Sequence, residues 1–479
     1  MPAAEPGPTA IRLGLDRPPD KLSAVLEEAL KRAREARSQD LEDLLELLAI
    51  PSVSALHAHD VDTRRACDWV AGRLRRMGMT VEVADVPGGR HPVISAQWLG
   101  RPGKPTLAIY GHYDVQPPDP LDEWVTPPFQ PTVRDGRVYA RGACDNKGQV
   151  LAGIKAAEHA FATGGPPLNL RFLIEGEEEI SGTSLPRFLR ENAARLPSEY
   201  VLIADGEFTA PGMPNLLTGL RGLLYTEIVA EGAAADLHSG IFGGVAPNPL
   251  NTLAHVISAL KPRDGRITIP GFYDDVVPPT EEEVASWDRL KDEATVLRLM
   301  GAGALEGEED FSPAERTWGR PTLDVHGVIG GFIGEGSKTV IPARARAKVS
   351  MRLVPRQDPG KIFESLLAYV GGLKTPGVEL SVVKLNEAPP VLAGVDHPGI
   401  EAARKAFRKS FGAEPVLVRE GGSVPVTVDF QEALRPMLML TGFGLPDDAL
   451  HSPNEKMDVE QYHLGTEFVL QLMEELGAG

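Results

Sequence analysis

The sequence predicts an α/β fold: a larger domain with a central, mostly parallel sheet flanked by helices, plus an inserted α+β module. Three observations carry this prediction. Short apolar strand patterns alternate with helical ones up to about residue 215. From 216 to 392 the strands expose alternate positions and the helices are amphipathic, and over 393–479 the first pattern returns. At 479 residues the chain is about three times a typical domain length, so more than one domain is expected.

The elements follow in order. After a Pro-rich leader, Leu22, Val25, Leu26, Ala29, Leu30 and Ala33 mark the apolar face of one helix. Leu41, Leu44, Leu45 and Leu48 mark the next, which Pro51 ends. A third helix is expected over 64–77 with Gly78 as its stop. TVEVADV, PVISAQWLG and TLAIY read as strands and KGQVLAGIKAAEHAFA as a helix, and LRFLIEG and YVLIAD are strands again. In the inserted module, LLYTEIVAEG and ARAKVSMRLVP are strands, with helices at NPLNTLAHVISAL and near 359–372. The acidic span 278–312 reads as a solvated helical insertion, and a final amphipathic helix is expected near 460–476.

Composition narrows the function. A net charge of −18 argues against binding nucleic acid through its phosphates and against anionic membrane surfaces. No stretch approaches the ~18 consecutive apolar residues that span a bilayer, and the N-terminus shows no secretory pattern. Cys67 and Cys144 are the only cysteines, which excludes a disulfide framework. The expected location is the cytoplasm.

Candidate chemistry collects where strands end, which is where open α/β sheets place their sites. His112 and Asp114 follow an apolar strand in IYGHYDVQP, on the same side of an extended chain. In that position a histidine can bind a metal through one nitrogen while Asp114 orients the other. Asp145 lies in the Gly-flanked turn RGACDNKG, Asp205 follows the VLIA strand, and His451 stands in LHSPNEK. Singly, these also read as an N-cap aspartate, a turn former and a surface loop residue. Together, His112, Asp145, Glu179, Asp205 and His451 supply two imidazoles and three carboxylates, a set suited to a pair of Zn²⁺ or Mn²⁺ ions. The run Glu177–Glu178–Glu179 also offers a spare carboxylate to accept a proton from water.

GHYDVQP, RGACDNKG, the EEE-I run, DLHSGIFGG, KTVIP, MRLVP, REGGSVPVT and LHSPNEK, in this order between about residues 50 and 460, resemble the carnosinase-like dipeptidases. These are a branch of the dizinc superfamily that also holds aminoacylases and glutamate carboxypeptidases. The resemblance implies a catalytic domain from segments 1–215 and 393–479, with a lid and dimerisation domain over 216–392. It implies that His112 and Asp205 hold one metal and Glu179 and His451 the other, with Asp145 bridging. Asp114 would orient His112, and Glu178 would be the general base, leaving Glu177 without a role in the chemistry. It implies that His238 of the lid steadies the oxyanion in the partner subunit's site, so that a homodimer is required. Arg352 would grip a substrate carboxylate, and Thr339, Glu420, Gly422 and Ser423 would line the pocket.

The implied activity is hydrolysis of dipeptides or short peptides with a free C-terminal carboxylate, with two divalent ions, Zn²⁺ or Mn²⁺, in each subunit. Amidohydrolysis of N-acyl amino acids on the same scaffold is the alternative, and a non-catalytic binding protein is the alternative of another class. Two positions depart from the family pattern. Asn146 stands where a second aspartate is common, and Gly206–Glu207 where an aromatic residue can enter the pocket. Cys144 precedes Asp145 as inert packing or as a soft-metal ligand, and His326 is expected to be structural.

Overall fold

The computed structural model describes residues 23–478, apart from 289, 395 and 421–424, so the Pro-rich leader lies outside the described residues. Among the described residues the large sheet has nine strands. Its order is Thr80–Ala84, Val93–Trp98, Asn169–Glu175, Thr106–His112, Tyr200–Ala204, Met437–Thr441, Asn215–Leu220 and Val391–Leu392, with Val416–Glu420 also paired to Asn215–Leu220. The centre, from Asn169–Glu175 to Met437–Thr441, is parallel, and antiparallel pairs flank it. Central strands such as Thr106–His112 and Asn169–Glu175 are buried along their whole length, as a sheet covered on both faces demands.

Helices cover the two faces. On one lie Ala24–Glu35, Arg37–Leu48, Lys147–Ala162, Pro398–Ser410 and Val459–Ala478, around Leu107, Ile109, Phe172 and Leu202. On the other, Ser184–Asn192 and Pro425–Ala433 pack over Tyr110, Leu173, Val201 and Leu440. The Lys147–Ala162 helix has the expected bounds, whereas the third helix, Asp60–Arg76, begins four residues before the expected start. Asp60 and Asp62 in its first turn suit the positive end of the helix dipole. Gly78, at φ +90°, ends it where the sequence placed the stop.

The chain leaves the large sheet after Leu220 and enters a second, antiparallel one ordered Thr322–Gly330, Arg344–Leu353, Gly222–Glu231, Glu379–Ala388. Along Gly222–Glu231 every second side chain is buried, and that face carries the helices Pro249–Leu260 and Pro359–Gly372. The chain rejoins the large sheet at Val391–Leu392, antiparallel to Asn215–Leu220.

The acidic span is solvated over much of its length, but it is anchored at its first helix. Glu281–Asp288 is tied to the large sheet by groups that are themselves buried, whereas Glu293–Met300 buries no side chain completely among the described residues. Trp287 is fully buried, donates from its indole nitrogen to the Leu417 carbonyl at 3.0 Å, and meets Trp318 edge-on with centroids 5.7 Å apart. Glu283 takes both arms of the Arg419 guanidinium, at 3.0 and 2.9 Å, and accepts from Thr218 at 3.2 Å. Thr280 and Glu283 also cap each other's backbone amides, the reciprocal pattern that starts a helix.

Trp287→Ala should therefore destabilise the protein by about 3–5 kcal/mol, read as a lower urea midpoint. An unchanged midpoint would mean that the insertion is only loosely attached.

Candidate metal centre

Three neighbouring parallel strands deliver the chemistry. Thr106–His112 ends in His112, Asn169–Glu175 runs into the three glutamates, and Tyr200–Ala204 is followed by Asp205. Asp145 comes from the turn before the Lys147–Ala162 helix. His451, at φ +59°, comes from a loop before the last helix. Groups far apart in sequence thus meet at the carboxyl end of the parallel strands.

Asp145 stands at the centre. Its Oδ1 lies 3.1 Å from Nε2 of His112, and its Oδ2 lies 2.8 Å from Nε2 of His451. Asp205 Oδ1 is 3.6 Å from the same nitrogen of His112, and Glu179 Oε2 is 3.4 Å from that of His451. The result is two ligand groups, His112–Asp145–Asp205 and Asp145–Glu179–His451. Within each, one candidate ligand atom per residue lies within 4.8 Å of the others.

Charge dominates this cluster. Burial opposes ionisation of Asp145, but hydrogen bonds with His112 and His451 hold it below the usual carboxylate range. Hydrogen bonds to Asp145 and Glu179 push His451 up to about 10. Burial works against a charged His112, yet Asp205, Asp114 and Asp145 raise it well above the ordinary imidazole value. Burial, followed by repulsion from Asp205, Glu179 and Asp145, pushes Glu178 up to about 8. The Glu178 carboxylate makes no hydrogen bond among the described residues.

The residues fit a pair of divalent ions. Glu179 Oε1 is buried and has no hydrogen-bond partner among the described residues, an orphan that a cation would satisfy. His112 turns Nδ1 toward Asp114, 3.1 Å from the carbonyl and 3.4 Å from Oδ1, which leaves Nε2 to the cluster. Two imidazoles and three carboxylates form a hard-to-borderline donor set. Cys144 is buried, belongs to neither ligand group, and burial raises its thiol well above the ordinary value.

Several supporting groups escaped the sequence reading. Glu455 is fully buried and accepts from Arg141 and from the amides of Gly142, Cys144 and Asp145 at 2.8–3.0 Å, fixing the turn that carries Asp145. Asn146 donates to Asp205 Oδ1 at 2.6 Å and to the Ala204 carbonyl at 2.8 Å. A second carboxylate at that position could offer Asp205 no such donor unless protonated. Gln116 donates to Glu179 Oε2 at 2.8 Å. Glu177 accepts from the backbone amides of Arg90, His91 and Ser184, so it staples two loops together.

The remaining predicted positions lie outside both ligand groups. His238 is exposed on the short Leu237–His238 strand, and its Nδ1 accepts from the Gly240 amide at 3.0 Å. Thr339 is exposed, and its carbonyl accepts from the Ser239 amide. Arg352 is half-buried on Arg344–Leu353, and Glu420 shares a cavity with Asp205. Gly422 and Ser423 lie outside the described residues. His326 hydrogen-bonds Ser350 Oγ at 2.7 Å, in keeping with a structural part.

A sheet that gathers two candidate ligand groups around one shared carboxylate suits a metal-dependent enzyme. Residues 108–475 match the model of Peptidase family M20/M25/M40, and the chain belongs to that family of metallopeptidases. It is 33% identical to a Cys-Gly metallodipeptidase of Schizosaccharomyces pombe, over 90% of this chain and 94% of that protein. It is 32% identical to the human Beta-Ala-His dipeptidase, over 95% and 93%. Among solved structures, an M20 family metallo-carboxypeptidase from Sulfolobus solfataricus superposes with a TM-score of 0.78 at 32% identity, covering 92% of this chain and 99% of that one. Among the described residues, no helix is long and apolar enough to cross a membrane.

With both histidines raised in the metal-free chain, cation binding at neutral pH must expel protons. Calorimetry in buffers of different ionisation enthalpy should show release of about two or more protons per loaded subunit, from the histidines and the raised glutamates. Affinity should rise from pH 6 to 8, because each proton removed favours the metal. Binding without proton release would contradict the ligand assignment.

Proposed function

We propose that this metallopeptidase hydrolyses the peptide bond of dipeptides or short peptides that carry a free C-terminal carboxylate. The observation that carries the reading is the carboxylate of Asp145, shared between the His112–Asp205 and Glu179–His451 groups. The dipeptidase relatives, aligned over most of the chain, support the substrate class. In this reading His112 and Asp205 would hold one divalent ion and Glu179 and His451 the other, with Asp145 serving both; Zn²⁺ suits the donors best. When bound, such ions polarise a carbonyl and acidify water.

The chain's own groups do the rest. Glu178 lies beside the cluster without a hydrogen-bond partner among the described residues, and once bound cations offset the repulsion that raises it, it would take a proton from water and hand it to the leaving amine. Asp114 holds the His112 ring, and Gln116 holds Glu179. Arg352 on the second sheet offers a guanidinium fork for the terminal carboxylate. Thr339 and Glu420 would line the pocket. His238 acts across a homodimer, donating to the oxyanion in the partner subunit's site.

The second sheet would supply the dimer interface as well as the lid, over 216–392. Its edge strand Thr322–Gly330 and the following loop expose Val325, Val328, Ile329, Phe332 and Ile333. Ile241 and Val245, near His238 in sequence, are exposed too. Apolar groups clustered in this way mark association surfaces. The expected compartment is the cytoplasm.

Glu178→Gln should bind metal with the stoichiometry of the wild type and lose dipeptide hydrolysis by about three orders of magnitude. Turnover of Ala-Ala and of N-acetyl-alanine, followed with atomic absorption of the loaded protein, checks this. Activity retained in the variant would sink the base assignment. Preference for the acetylated substrate would transfer the chain to the amidohydrolases.

A further inference from the structure

Residues 47–53 supply no candidate ligand, yet they bond to both of the segments that meet at the shared carboxylate. Ser52 is fully buried, and its hydroxyl donates to the Tyr113 carbonyl at 2.6 Å. The Ser52 carbonyl accepts from the Val115 amide at 3.0 Å, and Val53 pairs with Val115 in a parallel bridge. The backbone on both sides of Asp114 is thereby fixed, and the Asp114 carbonyl in turn meets Nδ1 of His112.

Lys147 makes the second connection. It opens the Lys147–Ala162 helix two residues after Asp145, and its amine donates to the carbonyls of Ile50 at 2.6 Å and Leu47 at 3.3 Å. The side chain is fully buried and makes no ion pair among the described residues. Burying an amine without a carboxylate partner costs more than burying an apolar chain of similar length. In return the amine fastens the start of this helix to the carbonyl end of the Arg37–Leu48 helix, an end that favours such a donor. Leu47, Leu48, Ile50 and Val53 are buried, so the core holds the anchoring segment itself in place.

We propose that residues 47–53 form a positioning strap for the metal centre, with Ser52 and Lys147 as its positioning residues. Glu455 fixes the Asp145 turn internally, whereas Lys147 fixes where that turn lies relative to the His112 strand end. The two attachments, at Ile50 and Ser52, stand two residues apart on one buried segment, so neither ligand-bearing piece can shift without the other. The spacing of the ligand atoms around an ion depends on that register. The proposal rests on the two-ion reading of the site and not on the substrate class.

The test titrates the full chain, stripped of metal, with Co²⁺. Calorimetry gives the affinity, and the visible absorption of the bound ion reports its ligand geometry. Wild type should bind two Co²⁺ per subunit. Ser52→Ala and Lys147→Met should each weaken at least one of the two binding steps by about tenfold or more, the usual cost of losing a group that orients a ligand, and should shift the absorption band. Leu472→Ala, which removes a fully buried side chain of the last helix, should lower the urea midpoint yet keep the wild-type affinity and band. If Lys147→Met does not fold, Ser52→Ala decides alone. Unchanged affinity in every strap variant that folds, or the same weakening in Leu472→Ala, overturns the strap assignment alone. A wild type that binds fewer than two Co²⁺ overturns the two-ion reading, and the strap assignment with it.

Discussion

Asp145 offers one carboxylate oxygen to His112 and the other to His451, and the rest of the site is arranged around that division. Asp205 and Glu179 close in from either side, and Glu178 stands next to them. Without cations, burial first and the repulsion among so many carboxylates second raise the protonation of Glu178 and Glu179. The two imidazoles neutralise only part of this charge. A chain that maintains such a cluster sacrifices stability for it, the usual mark of a functional site.

The supporting groups make the cluster rigid. Glu455 gathers the Arg141 guanidinium and three backbone amides of the Arg141–Asp145 turn, and Asn146 reaches from the same turn to Asp205. One short loop is thereby locked to the last helix's approach on one side and to the Tyr200–Ala204 strand end on the other. The acidic insertion performs a similar service further out. Its Glu283–Arg419 pair and Trp287 fix the wall of the cavity beside Asp205, so the space next to the ligands is shaped by well-packed groups rather than by a mobile loop.

Much of this was legible in the sequence because strand ends are local features. An apolar run that stops at His112, at the glutamates or at Asp205 shows where a buried strand meets the sheet edge, and the Lys147–Ala162 helix announces itself by pattern alone. Glu455, Gln116 and Asn146 gave no such signal, since their partners lie far along the chain or act through backbone amides. Glu177 was set aside from the chemistry by resemblance, but its work as a staple between the 90–91 loop and Ser184 is visible only in three dimensions. The insertion was legible only in part. Its acidic composition reports its solvated faces, whereas Trp287 and Glu283 decide where the first helix packs.

The central claim is that Asp145 is shared by two ions. Crystals of the Zn²⁺-loaded protein, with anomalous diffraction recorded at the zinc edge, test it most directly. Two peaks should flank Asp145, one against His112 and Asp205 and the other against Glu179 and His451. A single peak, or a second peak remote from Asp145, would contradict the account.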